Sequence, residues 1–359
     1  MLGVAWPSIR HAFELPLSQL GVLLTAATAG YLVSSFGGGP VVLRLGVGRL
    51  LVASSVAMVV SLTTFALAPA WPAIVAAGLL AGLGGGAIDA RINGFAAATV
   101  HHARPAWLHA FYGVGATLGR VLMTAVPAAG ASWRAGYATV AAVLAAMTLA
   151  FTLTVNAWRV RVDTASAPAP GLATTLRQPP VLAHIVLFFL YTGLEAAAGQ
   201  WTYSLFTEAR GVPPAIAGAW SAIYWGSLTA GRIAVTTVLR RASVAQTLRT
   251  TMVAAPLATL LIWIGTGPVA WAIGVALLGL ALAPIYPLLV SATPGRIGTE
   301  HATHAIGAQV AAAYLGAAAI PGVTGILARA YGLEIIGPML TIAAGAVLCV
   351  HEGVARQRA

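Results

Sequence analysis

The sequence predicts an all-α polytopic membrane protein, and three observations predict it. Hydrophobic residues fill 59% of the 359 positions and charged residues only 8%, whereas a soluble domain carries about a quarter of its residues as charges to cover a water-facing surface. The apolar residues gather into runs long enough to cross a hydrocarbon core, which takes about 20 residues of helix. The 19 basic residues, all of them arginine, fall between those runs rather than along one face.

In the first half the runs cover residues 17–39, 48–67, 72–99, 107–129 and 133–155. A polar, proline-bearing stretch at 158–180 separates them from further runs at 181–206, 213–239, 244–264, 268–293, 304–328 and 333–350. Each run is a helix because lipid offers the backbone no water, so a spanning segment must close its hydrogen bonds on itself. A transmembrane barrel would show alternating segments of about ten residues instead. The expected organisation is an N-terminal bundle over 1–157, a central loop over 158–180 and a C-terminal bundle over 181–359.

Arginine sets the orientation. Connections carrying Arg44, Arg49, Arg104, Arg159, Arg161, Arg177, Arg240, Arg241, Arg249, Arg296, Arg356 and Arg358 fall on one side, and Arg10, Arg134, Arg210 and Arg329 on the other. The positive-inside rule makes the Arg-rich side cytoplasmic, with the C-terminus inside. The spans divide five and six, so one helix is expected to be missing at the front, through a late start or a fragmentary chain. Residues 1–6 are too short for the apolar core of a signal peptide. An offset of 197 residues lays Gly21 on Gly218 and Arg44 on Arg241, as two copies of a six-helix unit would.

Several functions are excluded or unsupported. The scattered arginines form no phosphate-reaching face for nucleic acid. Cys349 is the one cysteine, so a disulfide or CxxC site cannot be built. The glycines from Gly82 to Gly86 lie in an apolar run without the strand and lysine of a phosphate cradle; close helix packing explains them, as it does Gly113, Gly115 and Gly119. No nucleophile elbow or H-E-x-x-H pair appears, and no metal or other cofactor is expected. The chain reads as a non-enzyme.

The stretch Gly39-Pro-Val-Val-Leu43-Arg44-Leu-Gly46-Val-Gly48-Arg49 resembles the signature between the second and third helices of the major facilitator superfamily, with Leu43 where the family carries an acid. Further stretches resemble its fucose permease-like sugar transporter branch: Trp6-Pro-Ser-Ile-Arg10, Gly84 through Asp89 to Asn93, His109-Ala-Phe111-Tyr112-Gly113, Tyr191-Thr-Gly193-Leu-Glu195, Gly199-Gln-Trp201, Tyr224-Trp-Gly226 and Ala283-Pro284-Ile-Tyr286-Pro287. The resemblance implies two six-helix bundles carrying a small polar solute, a sugar, by alternating access with protons. It also implies a multi-pass monomer in the cell's inner or plasma membrane, with lipid as its surroundings. Drug or metabolite efflux, or an inactive truncated homologue, are the alternatives.

Two acids, Asp89 and Glu195, lie inside spans, where a carboxylate costs roughly 3 kcal/mol and is retained where it faces a cavity. They are the expected proton-coupling residues. Asp89 could instead form a fixed ion pair with Arg91 or Arg120. Asn93, one turn from Asp89, joins His109, Tyr112, Tyr191 and Gln200 as expected solute-binding residues. Trp201, Tyr224, Trp225 and Gln309 complete that set, although Trp201 could equally be an interfacial belt residue. Gly39, Arg44, Gly46, Arg49, Arg91, Arg120 and Arg232 are expected to be structural or gating residues.

Overall fold

The computed structural model describes the backbone of residues 1–99, 105–158, 171–237 and 242–356, with the side chains of 36–44, 90–99, 105–110, 112, 236–237, 299, 303 and 355–356 outside the description. The regular structure of the described residues is all helical: α1 (Leu2–Ala12), α2 (Gln19–Leu67), α3 (Trp71–Thr99), α4 (Pro105–Ala128), α5 (Trp133–Leu153), α6 (Leu172–Leu176), α7 (Pro179–Ser204), α8 (Pro214–Thr237), α9 (Val244–Ile264), α10 (Pro268–Leu282), α11 (Ile285–Ile297), α12 (Thr299–Tyr331) and α13 (Ile336–Arg356). Eight segments among them are long and apolar enough to cross a membrane. Helices α4 and α8 are outside that set; they carry Thr117, Arg120 and Thr124 on one and Thr229 and Arg232 on the other, and they pack on each other.

Two expected boundaries move. The runs at 17–39 and 48–67 are joined in one helical stretch, α2, which turns sharply at Gly46 (φ 76°, ψ 163°). Glycine fits there because a Cβ would make that positive φ costly. Conversely, the run at 268–293 is two helices, α10 and α11, with the break at Ala283-Pro284. Pro284 and Pro287 supply no N–H to the helical ladder, which interrupts it there.

Helix α2 packs on α3 and α5, while α7 packs on α12 and α13, and α9 on α10 and α13. Across the middle, α1 meets α7, α2 meets α12, and α4 meets α8. Glycines permit the closest approaches, as expected for helices that associate in lipid by shape rather than by burial. A Cβ on Gly82 would lie 1.9 Å from the Ala27 carbonyl oxygen, and one on Gly30 would lie 2.1 Å from that of Leu79. Gly113 meets Thr229, and Gly119 meets Met1, but Gly85 and Gly115 have open space beside them; the packing role expected for those two is not found. Large apolar residues such as Leu67, Leu149, Leu257, Ile326 and Ile342 are exposed on the surface, as a lipid-facing exterior requires.

Arginines staple the end opposite the Arg-rich connections. Arg134 donates to the Ala66 carbonyl at 3.1 Å, and Arg210 donates to those of Ile262 (2.6 Å) and Trp263 (3.3 Å). The 197-residue offset lays Ala66 on Trp263, so each half has the final turn of the corresponding helix capped by a guanidinium. Arg210 also grips both carboxylate oxygens of Glu334, at 2.9 and 2.7 Å, and lies over the Trp271 ring.

Candidate functional site

Glu195 lies midway along α7, buried at 9% exposure. Arg232 of α8 meets its carboxylate at 3.2 and 3.5 Å, and Tyr191, one turn earlier on α7, donates its hydroxyl to the same group. The Tyr191 hydroxyl also lies 3.1 Å from the Leu282 carbonyl, beside the break that separates α10 from α11. Tyr224 of α8 donates to the Glu195 backbone carbonyl at 3.0 Å. A charge at this depth requires such partners, since desolvation costs several kcal/mol per ion. The pairing fixes α7 and α8 to each other around one carboxylate.

Asp89 is exposed although it lies far from either end of α3. Its neighbours explain the exposure. Tyr31 of α2 donates to Oδ2 at 2.5 Å, and the Tyr31 ring stacks on Tyr314 of α12, with centroids 3.4 Å apart. Asp89 is therefore linked, through Tyr31, to the contact of α2 with α12. Tyr286 of α11 lies beside Phe188 and Tyr191 of α7, with ring centroids 5.3 and 6.4 Å away.

On the α4–α8 side, Arg120 is buried at 6% exposure, donates to the Ala116 carbonyl at 2.8 Å and stacks 4.0 Å over the Trp225 ring. Trp225 Nε1 and Gln200 Oε1 are buried without a hydrogen-bond partner. Gly199, the residue before Gln200, packs on Trp225, where a Cβ would be 3.1 Å from Nε1. One orphan is a donor and the other an acceptor, the pairing a ligand hydroxyl satisfies.

Gln309 is fully buried; its Oε1 accepts from Thr293 at 3.1 Å, and its Nε2 is unpartnered. Trp201 is fully buried and donates to the Pro321 carbonyl at 2.9 Å, so it packs α7 on α12. Arg49 is exposed and Gly46 supplies the turn in α2. Gly39, Arg44, Arg91, Asn93, His109 and Tyr112 have side chains outside the described residues.

Sequence reasoning missed Tyr31 as a partner of Asp89 and the stack of Tyr31 on Tyr314. It also missed Arg10, which pairs with Glu208 across the contact of α1 with the turn after α7.

Two packed sets of spanning helices, with ionisable groups collected where the sets meet, define a membrane transporter. The chain belongs to the Major Facilitator Superfamily, whose family profile matches residues 1–350. Among curated proteins it is similar to "Bypass of stop codon protein 6" of Saccharomyces cerevisiae, 26% identical over 187 residues, which is 48% of this chain and 36% of that protein. The chain therefore spans about a third of that relative's length. Among solved structures it is similar to FucP, a Major Facilitator Superfamily transporter in the outward conformation, with a TM-score of 0.69 at 14% identity over 98% of this chain and 93% of the other. A point variant of the E. coli fucose:proton symporter FucP matches with a TM-score of 0.66 at 14% identity over the same shares. These likenesses show the fold.

Proposed function

We propose that this transporter carries a small polar solute, a sugar, in company with protons, by alternating exposure of a site between its halves. The observation that carries the reading is Asp89: an exposed carboxylate within a spanning helix, joined by Tyr31 to the contact of α2 with α12. An intramembrane acid is retained where it works on cargo or protons. The unpartnered polar atoms on Gln200 and Trp225 support a hydroxyl-bearing cargo. The fucose:proton symporter among the structural neighbours agrees with this reading.

In the same proposal the halves 1–157 and 181–359 rock about the solute, joined by 158–180. The Arg-rich end faces the cytoplasm of a cell-membrane monomer, following the charge bias of the connections. Contacts of α1 with α7 and of α2 with α12 bring the halves together at the opposite end. Asp89 and Glu195 serve proton coupling, with Glu195 held by Arg232 until cargo competes for it.

The experiment is uptake of labelled fucose and other hexoses into proteoliposomes holding the full chain, with and without an inward proton gradient. Accumulation of at least one hexose, enhanced by the gradient, is the predicted result. Export of amphipathic drugs without any sugar flux would assign efflux instead, and no flux of either kind would assign a non-transporting protein.

A further inference from the structure

We propose that Tyr31 is the positioning residue through which the charge on Asp89 holds the two halves together at mid-depth. The inference rests on the reading of Asp89 as the proton site and adds the element that would convert its charge into a conformational bias. Tyr31 touches both partners at once: its hydroxyl donates to Asp89 Oδ2 at 2.5 Å, and its ring stacks on Tyr314 with planes 24° apart. Asp89 and Tyr31 belong to α3 and α2, and Tyr314 to α12. The carboxylate thus acts across the boundary without reaching it.

The same strip is fastened at one more point, where Thr28, one turn before Tyr31, donates to the Tyr314 carbonyl at 3.4 Å. Ser34 donates to the Tyr31 carbonyl at 3.3 Å, and a Cβ on Gly86 would lie 2.6 Å from that carbonyl oxygen. The Tyr31 backbone is therefore gripped by α3, and its ring is aimed by the acid.

The groups that bear on Asp89 come from several elements: Tyr31 from α2, Tyr314 of α12 beyond it, and Tyr286 from α11, which also feels Glu195 of α7 and Arg232 of α8. None of the three tyrosines needs to ionise. The step is one proton: it adds to a carboxylate oxygen of Asp89, the negative charge is lost, and the Tyr31 hydroxyl keeps a neutral acceptor in place of an anionic one. Hydrogen bonds to an anion are roughly twice as strong as neutral ones, so protonation frees the Tyr31 ring to leave Tyr314. Ionised Asp89 favours the closed contact, and protonated Asp89 releases it.

The test reads the spacing of the halves as a function of pH, with no solute present. Spin labels on Leu67→Cys and Ile264→Cys, which are exposed ends of α2 and α9, would be placed in a Cys349→Ser background in lipid nanodiscs. The ratio of closed to open populations is predicted to fall by roughly tenfold from alkaline to acidic buffer, the change that about one neutralised hydrogen bond brings. Tyr31→Phe keeps the ring and removes the hydroxyl, and it is predicted to abolish the pH response, as is Asp89→Asn. Tyr314→Ala removes the ring on which Tyr31 stacks and is predicted to abolish the response as well. A pH response that persists in Tyr31→Phe would overturn the inference while leaving Asp89 as the proton site. Absence of a response in the parent chain would overturn both.

Discussion

Gly21 of α2 and Gly322 of α12 meet backbone to backbone across the boundary between the halves: a Cβ built on Gly21 would lie 2.9 Å from the Gly322 Cα. The 197-residue offset carries this contact onto a second one. Gly21 maps to Gly218 of α8, which packs on Thr124 of α4, where a Cβ would lie 2.2 Å from the Thr124 hydroxyl. The repeat seen in the sequence thus brings both copies of one glycine to the boundary. At both places the side chain that is missing sets how closely the halves can approach.

Gly21→Leu should wedge the closed end apart. Overpacking a close contact costs typically 1–3 kcal/mol, enough to shift a two-state balance by about tenfold or more. Thiol labelling of a cysteine introduced near this boundary should speed up accordingly, while Gly21→Ala should give a smaller change in the same direction. Unchanged labelling in Gly21→Leu would contradict the packing role.

The Arg10–Glu208 pair crosses the same boundary but is partly solvated, with side chains 22% and 26% exposed. Such pairs contribute at most about 1 kcal/mol. Arg10→Glu should therefore lower steady-state transport by only a few-fold, and the exchange Arg10→Glu with Glu208→Arg should recover most of the loss. High salt should weaken the effect of the single change.

Glu195 and Arg232 are buried together, with side chains 11% and 13% exposed, and the expectation reverses. Removing one buried partner strands the other charge, at a cost of about 3–5 kcal/mol. Arg232→Met alone should lower thermal stability more than Arg232→Met combined with Glu195→Gln. Melting of the purified protein in detergent checks this ordering.

Much of this architecture was legible in the sequence, because lipid permits few solutions. Run length and arginine spacing located the helices that pack into the two halves, and their departures have local causes. The loop expected between residues 39 and 48 became a turn within α2 because Gly46 alone needs a non-helical backbone. The break inside the run at 268–293 was written in Pro284 and Pro287, which the length rule does not weigh. Within the candidate site, the carboxylates Asp89 and Glu195 stand out in apolar runs, whereas their partners do not. Tyr31 was illegible because a tyrosine in a span is ordinary, and its importance comes from α3 and α12, far away in the chain. The partner of Trp201 was illegible for the same reason: its indole bonds to Pro321 of α12, far away in the chain.

The most direct measurement is of proton movement itself. In proteoliposomes without an imposed gradient, adding a transported hexose outside should alkalinise the external medium as protons enter with it. Asp89→Asn should abolish that alkalinisation while counterflow exchange of the hexose continues. Alkalinisation of equal size in Asp89→Asn, with exchange intact, would contradict the assignment of Asp89 as the group that couples protons to the solute.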